Sequence, residues 1–264
     1  MVLLKAALLG VVQGLTEFLP VSSTAHLLIV GRWLEFEDPG GIFNTTIQFG
    51  SILAVVWLYR AKLISVVRGL PTDPSARRFV AMLAVAFLPG AVLGLLLHDY
   101  VKGVLYEIPS VIAVSFILGG LVMLIAERWR PPVVVTDASA TPAPRAFVVG
   151  ACQALALVPG VSRSGATIVG GLMMGLDRAA AAELSFFLAI PTMAAASGLE
   201  LWKGRHALAS GLGAEIAVGF VMAFVASALV VKPFLSFVGR SGFGVFAWYR
   251  IAAGVAILAA MGLR

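Results

Sequence analysis

The sequence predicts an all-α polytopic membrane protein with six transmembrane helices, two re-entrant helical hairpins and an inverted-topology repeat. Three observations lead to this prediction: the composition, the lengths of the apolar segments, and the similarity of two regions broken at proline. Of the 264 residues, 60% are hydrophobic and 12% are charged. A soluble domain carries about 25% charged residues. The chain therefore has too much apolar surface for water, and a bilayer is its natural solvent.

Six apolar segments are long enough, or nearly long enough, to cross a membrane as helices. A span needs about 20 mostly apolar residues, so the shorter segments must borrow flanking residues to cross. The composition and these lengths together indicate a multi-pass protein. The six segments are 45–59, 79–97, 108–126, 184–199, 216–231 and 244–263.

Two further regions consist of short apolar pieces separated by proline. The first region breaks at Pro20 and the second at Pro159. Pieces of about 10–14 residues favour re-entrant segments over spans. Broken backbone at membrane depth is tolerated only where it lines a cavity or is buried in protein. The pieces are 6–16 and one ending at 31 in the first region, and 146–158 and 165–176 in the second.

The two broken regions resemble each other at an offset of 140 residues. Five of the thirteen positions 10–22 are identical to those 140 residues later. The apolar stretch 117–124 also aligns weakly with 251–258, at an offset of 134. These matches favour a duplicated chain, and chance similarity between Gly-, Leu- and Val-rich segments is the alternative. The identical pairs are Gly10 and Gly150, Gln13 and Gln153, Leu15 and Leu155, Val21 and Val161, and Ser22 and Ser162.

The duplication predicts the organisation of the chain. We expect one integral membrane domain, 1–264, whose repeat halves 1–129 and 145–264 are joined by a flexible, Pro- and Ala-rich linker, 130–144. Each half holds one broken hairpin and three spans. Because three is odd, the second half enters the membrane in the opposite orientation. Inverted repeats of this kind place their sites near the midplane, where broken helices meet.

The positive charges predict how the chain is oriented. A net charge of +6 suggests nucleic acid in a soluble protein. In a membrane chain, basic loops instead set orientation and contact anionic lipid, so we expect membrane lipid and no nucleic acid as partner. Twelve Lys and Arg residues, Arg250 among them, fall on one face, and six fall on the other. The richer face is predicted to be cytoplasmic, which directs both termini and the first hairpin outward.

A carboxylate lies at the end of the first apolar piece. Gln13 and Glu17 are four residues apart, so in a helix both side chains share one face. A charged group at membrane depth costs about 2.5–3.5 kcal/mol on insertion scales. A simple turn does not require this cost, so Glu17 is a candidate functional residue, with Gln13 beside it.

A run of hydroxyls and a histidine follow this carboxylate. Pro20 suits the first turn of a new helix. His26 lies four residues after Ser22 and three after Ser23, so its ring can reach either hydroxyl. Together with the free amides of the helix start, these groups and Thr24 form a candidate site for an anion such as phosphate. Taken singly, the hydroxyls are also typical helix caps, and His26 is typical of a core histidine bonded to a carbonyl.

The second broken region, "VPGVSRSGAT", carries an arginine where the first carries a serine. An arginine inside an apolar hairpin is costly, and its planar fork of donors suits bidentate binding of phosphate. Arg163 is therefore a candidate phosphate ligand, and a structural ion pair with Glu17 is its alternative role. The hydroxyls that accompany Arg163 are those of Ser162, Ser164 and Thr167.

The remaining polar residues give weaker signals. His98 and Asp99 come at the end of a span, and His206 lies in a short basic loop, so both histidines are expected to be solvated. One intramembrane carboxylate and one histidine do not make a metal cage, so we predict no metal ligands.

Two motifs and two further stretches resemble a known family. "QGLTEFLPVSSTAHL" and "PGVSRSGAT", with "TIQFGSILAV" and "LPGAVLGLLLHD" between them, are similar to the undecaprenyl-diphosphate phosphatases of the bacitracin-resistance type. The resemblance covers essentially the whole chain. It implies hydrolysis of undecaprenyl diphosphate to its monophosphate, which recycles the lipid carrier of peptidoglycan synthesis and confers bacitracin resistance. It places the important residues at Glu17, Ser23, His26, Ser162, Arg163 and Thr167.

The resemblance also implies a place and a set of partners. The protein belongs in the bacterial inner membrane with its site open to the outer side, and it takes an isoprenoid lipid diphosphate. No cofactor is expected to bind tightly, although family members are stimulated by Mg²⁺ or Ca²⁺. The family motif has Glu or Gln, three residues, then Glu. With Gln13 in the first position, this chain has one carboxylate there, which argues against a two-carboxylate metal scheme. We also carry a homodimer as a hypothesis.

For the mechanism we expect Ser23 to be the nucleophile, with His26 as its base and Glu17 orienting or tuning the histidine. Direct attack by His26, or by a water that His26 and Glu17 activate, are the competing schemes. Arg163 and the amides at the helix starts would stabilise charge on the phosphoryl oxygens.

A lipid-phosphate flippase or transporter is the alternative function, because inverted repeats with broken helices are typical of secondary transporters. A carrier has use for Arg163 and for helix ends, but it has no evident use for a hydroxyl–imidazole pair. The Ser–His–Glu cluster therefore favours the hydrolase.

Overall fold

The structure, a computed structural model, describes residues 1–38, 41–103, 105, 108–203 and 213–262. Within these residues the chain is almost entirely helical and has no β-strand, only an isolated bridge between Val135 and Leu176. His206 lies outside the described residues, as do the side chains of His98 and Asp99. The helices are α1 (Val2–Thr16), α2 (Ser23–Trp33), α3 (Ile42–Leu58), α4 (Arg60–Gly69), α5 (Pro74–Gly103), α6 (Pro109–Trp129), α7 (Ala143–Ala154), α8 (Arg163–Met173), α9 (Arg178–Lys203), α10 (Gly213–Ser241) and α11 (Gly244–Gly262).

The predicted membrane-spanning character is confirmed. Within the described ranges, five helices are long and apolar enough to cross a membrane, namely α5, α6, α9, α10 and α11. A sixth crossing is available if α3 and α4 count as one span, although the two are bent by 73°. The bend lies at Tyr59, the C-cap residue of the 17-residue α3, after which the basic α4 begins. The sequence predicted α3 but not α4.

The two regions broken at proline fold as pairs of short helices. α1 and α2 flank the turn at 17–22, and α7 and α8 flank a second turn that begins after a short 3-10 helix, Leu155–Leu157. Ser22 and Ser162, equivalent at the offset of 140, have φ of 68° and 72°, which is left-handed backbone that a serine rarely adopts. The same strained residue thus ends both turns. Their re-entrant path through the bilayer stays a prediction.

The chain divides into two compact units, each built from several separate segments. Each unit combines segments from both halves of the sequence. Unit one contains Met1–Phe18, Ser23–Leu63 and Ala189–Pro233, and unit two contains Leu19–Ser22, Ile64–Leu188 and Phe234–Arg264. The tip of the first hairpin, Leu19–Ser22, is therefore counted in unit two, whereas its helices α1 and α2 are counted in unit one.

Close helix packing in unit one depends on small residues. A Cβ added at Gly10 of α1 would overlap the carbonyl of Gly219 in α10, and one at Gly14 would lie 2.5 Å from the carbonyl oxygen of Ala223. One turn further, the hydroxyl of Ser227 donates to the carbonyl of Gly14 at 3.1 Å. Small residues let membrane helices approach this closely, which van der Waals packing and hydrogen bonds across the interface then stabilise.

Unit two contains a packing pattern that agrees with a duplicated chain. A Cβ at Gly120 of α6 would meet the carbonyl of Ala247 and the side chain of Ile251 at 2.7 Å each. A Cβ at Gly254 of α11 would meet the carbonyl of Ala113 and the side chain of Ile117, again at 2.7 Å. These are the same contacts with the two helices exchanged, as a local twofold relation would produce. The equivalent pairs, all 134 apart, are Ala113 and Ala247, Ile117 and Ile251, and Gly120 and Gly254.

Substitution of Gly150 is expected to destabilise unit two. A Cβ at Gly150 in α7 would overlap the carbonyl oxygen of Ala86 in α5, and backbone cannot move aside cheaply. Overpacking of this kind costs about 1–3 kcal/mol, so Gly150→Ala should lower the midpoint of thermal unfolding in detergent. Gly239→Ala is the matched control, because a Cβ there meets nothing within 4 Å. Equal midpoints for the two variants would contradict the close α5–α7 packing.

Part of the segment 130–144, predicted to be a flexible linker, forms hydrogen bonds with the loop that follows α8. The amides of Val134 and Val135 both donate to the carbonyl of Gly175, at 2.8 and 3.1 Å. The amide of Asp177 donates back to Val135 at 2.9 Å. The prolines of this segment disfavour a long helix, but its backbone still finds hydrogen-bond partners in the loop that follows α8.

Candidate functional site

Glu17 forms the centre of a buried polar cluster in unit one. Its Oε2 accepts a hydrogen bond of 2.6 Å from the hydroxyl of Ser23 and one of 3.0 Å from Nε2 of Gln13. Gln13 and Glu17 share a face because α1 is helical up to Thr16 and Glu17 continues with helical φ and ψ. Ser23 reaches back because it opens α2 directly after the turn. The predicted i, i+4 pairing of Gln13 with Glu17 is confirmed.

The amide of Gln13 leaves one acceptor unused. Its Oε1 is buried and has no hydrogen-bond partner among the described residues. Such an oxygen costs about 1–3 kcal/mol unless something satisfies it. A water, a cation or a donor on a bound ligand would supply the missing contact at this point.

The other candidates of the first motif lie close by in sequence. Thr24 and His26 are on the first turn of α2 and are half-buried, whereas Ser22 is buried in the turn that precedes it. The hydrogen on the Ser23 hydroxyl is directed to Glu17, and the sequence had instead favoured His26 as its acceptor.

The second motif builds the start of α8 in unit two. Ser162 is the N-cap residue, and its hydroxyl accepts from the amide of Gly165 at 3.1 Å. The hydroxyls of Ser162 and Ser164 lie 3.1 Å apart. Ser164 also donates to the carbonyl of Leu19 at 2.8 Å, so the tips of the two hairpins are hydrogen-bonded to each other within unit two. This contact joins the two motifs that the sequence singled out.

Arg163 and Thr167 meet at a residue that the sequence did not single out. Nη1 of Arg163 donates to the carbonyl of Ser185 in α9 at 2.9 Å, and the hydroxyl of Thr167 donates to the Ser185 hydroxyl at 2.7 Å. Ser185 is fully buried. Serine is common in membrane helices, where it often bonds backbone or a neighbouring helix, so nothing in the sequence distinguishes Ser185. The proposed pairing of Arg163 with Glu17 stays a prediction.

Arg250 is the second residue that emerges from the structure. The sequence analysis counted it among the charges that set orientation, whereas in the structure it lies in α11 with its side chain completely buried in unit two. Its guanidinium bonds the carbonyls of Pro20, Gly160 and Val161, at 3.2, 2.9 and 2.9 Å. The sequence singled out Arg163 because it is an arginine within an apolar segment. The same signal was present at Arg250, which also lies within an apolar segment.

The described residues do not contain a protein-only metal cage. No group of three or more His, Cys, Asp or Glu side chains among them could hold a metal ion. One cluster contains a hydroxyl that donates a hydrogen bond to a carboxylate. The other contains a guanidinium, several hydroxyls and the backbone amides of a helix start. The first suits transfer of a proton from a nucleophile, and the second suits binding of an anion.

The helices and these clusters define a multi-pass helical membrane protein with polar turns between pairs of short helices. The chain belongs to the family described as bacitracin resistance protein BacA, whose family model matches residues 6–256. Its relatives include proteins named undecaprenyl-diphosphatase. One from Cereibacter sphaeroides is 54% identical over 259 residues, which cover 98% of this chain and 96% of the relative. One from Phenylobacterium zucineum is 53% identical, with 94% of each chain covered. Undecaprenyl-diphosphatase 1 of Agrobacterium fabrum is 51% identical, with 98% and 97% covered.

Proposed function

We propose that this protein is a phosphoanhydride hydrolase that converts undecaprenyl diphosphate to undecaprenyl phosphate and inorganic phosphate. Through this reaction it recycles the lipid carrier of peptidoglycan synthesis and confers bacitracin resistance. Family membership and the names of its relatives support this function. The observation that carries it is the 2.6 Å hydrogen bond from Ser23 to Glu17, a nucleophile and a base already in contact.

The substrate suits a protein of this composition. An undecaprenyl tail is apolar and can remain in lipid, while only the diphosphate head enters the polar turns. We further propose that the protein lies in the bacterial inner membrane with its site open to the outer side. Without Arg250, eleven positive residues still fall on the proposed cytoplasmic face against six on the other. A homodimer remains a proposal.

In the first step the hydroxyl oxygen of Ser23 attacks the terminal phosphorus. Its proton passes to Oε2 of Glu17, which already accepts that hydrogen at 2.6 Å. The bond from the terminal phosphorus to the bridging oxygen breaks, and undecaprenyl phosphate leaves with the bonding electrons. Gln13 holds the carboxylate in place through its 3.0 Å hydrogen bond.

In the second step water attacks the phosphoserine. His26 takes the proton from the water, which keeps the histidine as a base in the reaction. The bond between phosphorus and the Ser23 oxygen breaks, and that oxygen recovers its proton from Glu17. Inorganic phosphate leaves, His26 releases to solvent the proton that it took from water, and Ser23, Glu17 and His26 all return to their starting states.

Charge on the phosphoryl oxygens is stabilised by the second motif. Arg163 stands at the first position of α8, where the helix amides also point outward. The hydroxyls of Ser22, Thr24, Ser162, Ser164 and Thr167 are proposed to assist in binding the head group. Ser23 follows Ser22 directly in the chain. Ser22 belongs to the hairpin tip Leu19–Ser22, and Ser164 donates a hydrogen bond to the carbonyl of Leu19 in this tip. This continuity supports the assignment of both motifs to one substrate.

Stimulation by Mg²⁺ or Ca²⁺ remains a proposal. Mg²⁺ is usually bound by one or two carboxylates together with substrate phosphates. The residues present fit that arrangement, since Glu17 offers a carboxylate and Gln13 an unsatisfied buried Oε1. A bound cation would neutralise charge on the diphosphate.

Phosphate release from purified protein tests the proposed function. The protein in detergent, without a membrane or gradient, should release inorganic phosphate from undecaprenyl diphosphate with multiple turnovers. The measurement is a colorimetric phosphate assay, with the Ser23→Ala variant as the inactive comparison. If wild-type protein releases no phosphate under these conditions yet moves the lipid across vesicle membranes, the hydrolase proposal fails and the carrier replaces it.

A further inference from the structure

Arg250 uses every donor of its guanidinium on backbone. An arginine carries five N–H donors in a fixed plane. Here Nε donates to Phe116, Nη1 to Pro20 and Val161, and Nη2 to Ser115 and Gly160, all through carbonyl oxygens at 2.9–3.5 Å. The side chain is completely buried in unit two, so these five bonds replace water entirely.

The five carbonyls come from three separate parts of unit two. Pro20 belongs to the turn of the first hairpin, and Gly160 and Val161 belong to the turn of the second. The other two lie in α6. Carbonyls in a turn lack helical partners, and at membrane depth an unsatisfied backbone group costs several kcal/mol. One guanidinium therefore satisfies both turns and attaches them to the same helix.

The space for this side chain is built into its neighbours. A Cβ at Gly119 of α6 would overlap Nη2 of Arg250, and one at Gly165 of α8 would lie 3.2 Å from Nη1. The guanidinium carbon also lies 5.4 Å from the ring centre of Phe116, within the range of a cation–π contact. Phe116 is the position equivalent to Arg250 at the offset of 134, so only one of the two related helices supplies the arginine.

We infer that Arg250 is a positioning residue that holds the two hairpin turns in register for the hydrolysis. The catalytic consequence of this inference rests on the proposed function. The hydrogen bonds of Arg250 do not depend on that function. Pro20 lies three residues from both Glu17 and Ser23, and Val161 is two residues before Arg163. A shift of either turn therefore misplaces the groups that the reaction uses, and a displacement of 1 Å can lower the rate by about 100-fold.

Arg250→Lys separates this role from a role of charge alone. Lysine keeps the positive charge but has three donors on one nitrogen, so it cannot bond five carbonyls in a plane. We expect kcat to fall by about 100-fold. The change in KM should be smaller, because the phosphate-binding groups proposed at the start of α8 remain present. If only the positive charge of Arg250 mattered, Arg250→Lys would instead keep the wild-type kcat. The matched control is Arg145→Lys, another arginine bonded to a carbonyl, that of Met174, in unit two.

Gly119→Ala disturbs the same guanidinium without removing it, which serves if Arg250→Lys does not fold. The added methyl would displace Nη2 from its two carbonyls, whereas Gly239→Ala has open space and should behave as wild type. Gly119→Ala should lower kcat in the same direction as Arg250→Lys, and retention of wild-type kcat would contradict the inference.

Hydrogen–deuterium exchange gives a readout that does not require activity. In substrate-free protein in detergent, the amides of 19–23 and 159–165 should exchange faster in both variants, and both turns should change together. Wild-type exchange in both turns would overturn the inference. If the wild-type protein lacks phosphatase activity but the turns still loosen together, the proposed function fails and the role of Arg250 stands.

Discussion

Glu17→Gln is expected to lower kcat for phosphate release by about 10²–10⁴-fold, the usual range for loss of a general base. Glutamine has nearly the same shape, and its carbonyl oxygen can still accept from Ser23 in place of Oε2. It cannot take the proton, however, so the Ser23 oxygen must attack as a neutral hydroxyl. The fold should be retained, and the thermal midpoint in detergent should stay close to that of wild type.

Glu37→Gln is the matched control for this experiment. Glu37 is an exposed carboxylate in the same unit, outside both motifs, and its substitution should leave kcat unchanged. The comparison removes one negative charge from the chain in both variants. If Glu17→Gln turned over at more than a tenth of the wild-type rate, Glu17 would be excluded as the acceptor of the Ser23 proton.

Arg163→Ala is expected to lower kcat/KM by at least the 10²–10³-fold that is typical when one donor to a developing charge is removed. Arg163 stands at the start of α8 among hydroxyls, and loss of its charge would leave only neutral groups, the helix amides and these hydroxyls, to bind the phosphoryl oxygens. Arg163→Lys should recover part of the loss, because lysine keeps the charge but not the bidentate geometry.

Steady-state phosphate release at several substrate concentrations measures this effect. Arg77→Ala provides the control, because Arg77 is an exposed arginine of the same unit whose side chain donates to a nearby carbonyl, that of Pro71, at 3.3 Å. If Arg163→Ala and Arg77→Ala had the same kcat/KM, Arg163 would have no role in phosphate binding, and its bond to Ser185 would be purely structural.

Much of the fold follows from local features of the sequence. The apolar segments predicted the long helices because a membrane-spanning helix needs about 20 mostly apolar residues. Pro20 and Pro159 marked the two broken regions, where the structure has turns between short helices. The Gln13–Glu17 pairing followed from helical spacing alone. The hydrogen bond from Ser23 to Glu17 agrees with the predicted grouping of these residues in one polar cluster, although the sequence favoured His26 as the direct partner of Ser23.

The features that the sequence left open depend on contacts between distant segments. Ser185 is separated from Thr167 by a loop and a change of helix, so no spacing rule connects them. Arg250 bonds Pro20 across 230 residues, which only the packing of α11 could reveal. The division into two units also reflects tertiary contacts, since each unit takes segments from both halves of the sequence.

The stereochemical course at phosphorus tests the central claim most directly, that Ser23 attacks the diphosphate itself. The substrate would be a prenyl diphosphate whose terminal phosphorus is made chiral with sulfur and heavy oxygen isotopes. Attack by Ser23 followed by attack of water involves two in-line displacements, so the account predicts net retention of configuration. Inversion would show a single displacement by water, and it would contradict the proposal that a phosphoserine forms on Ser23.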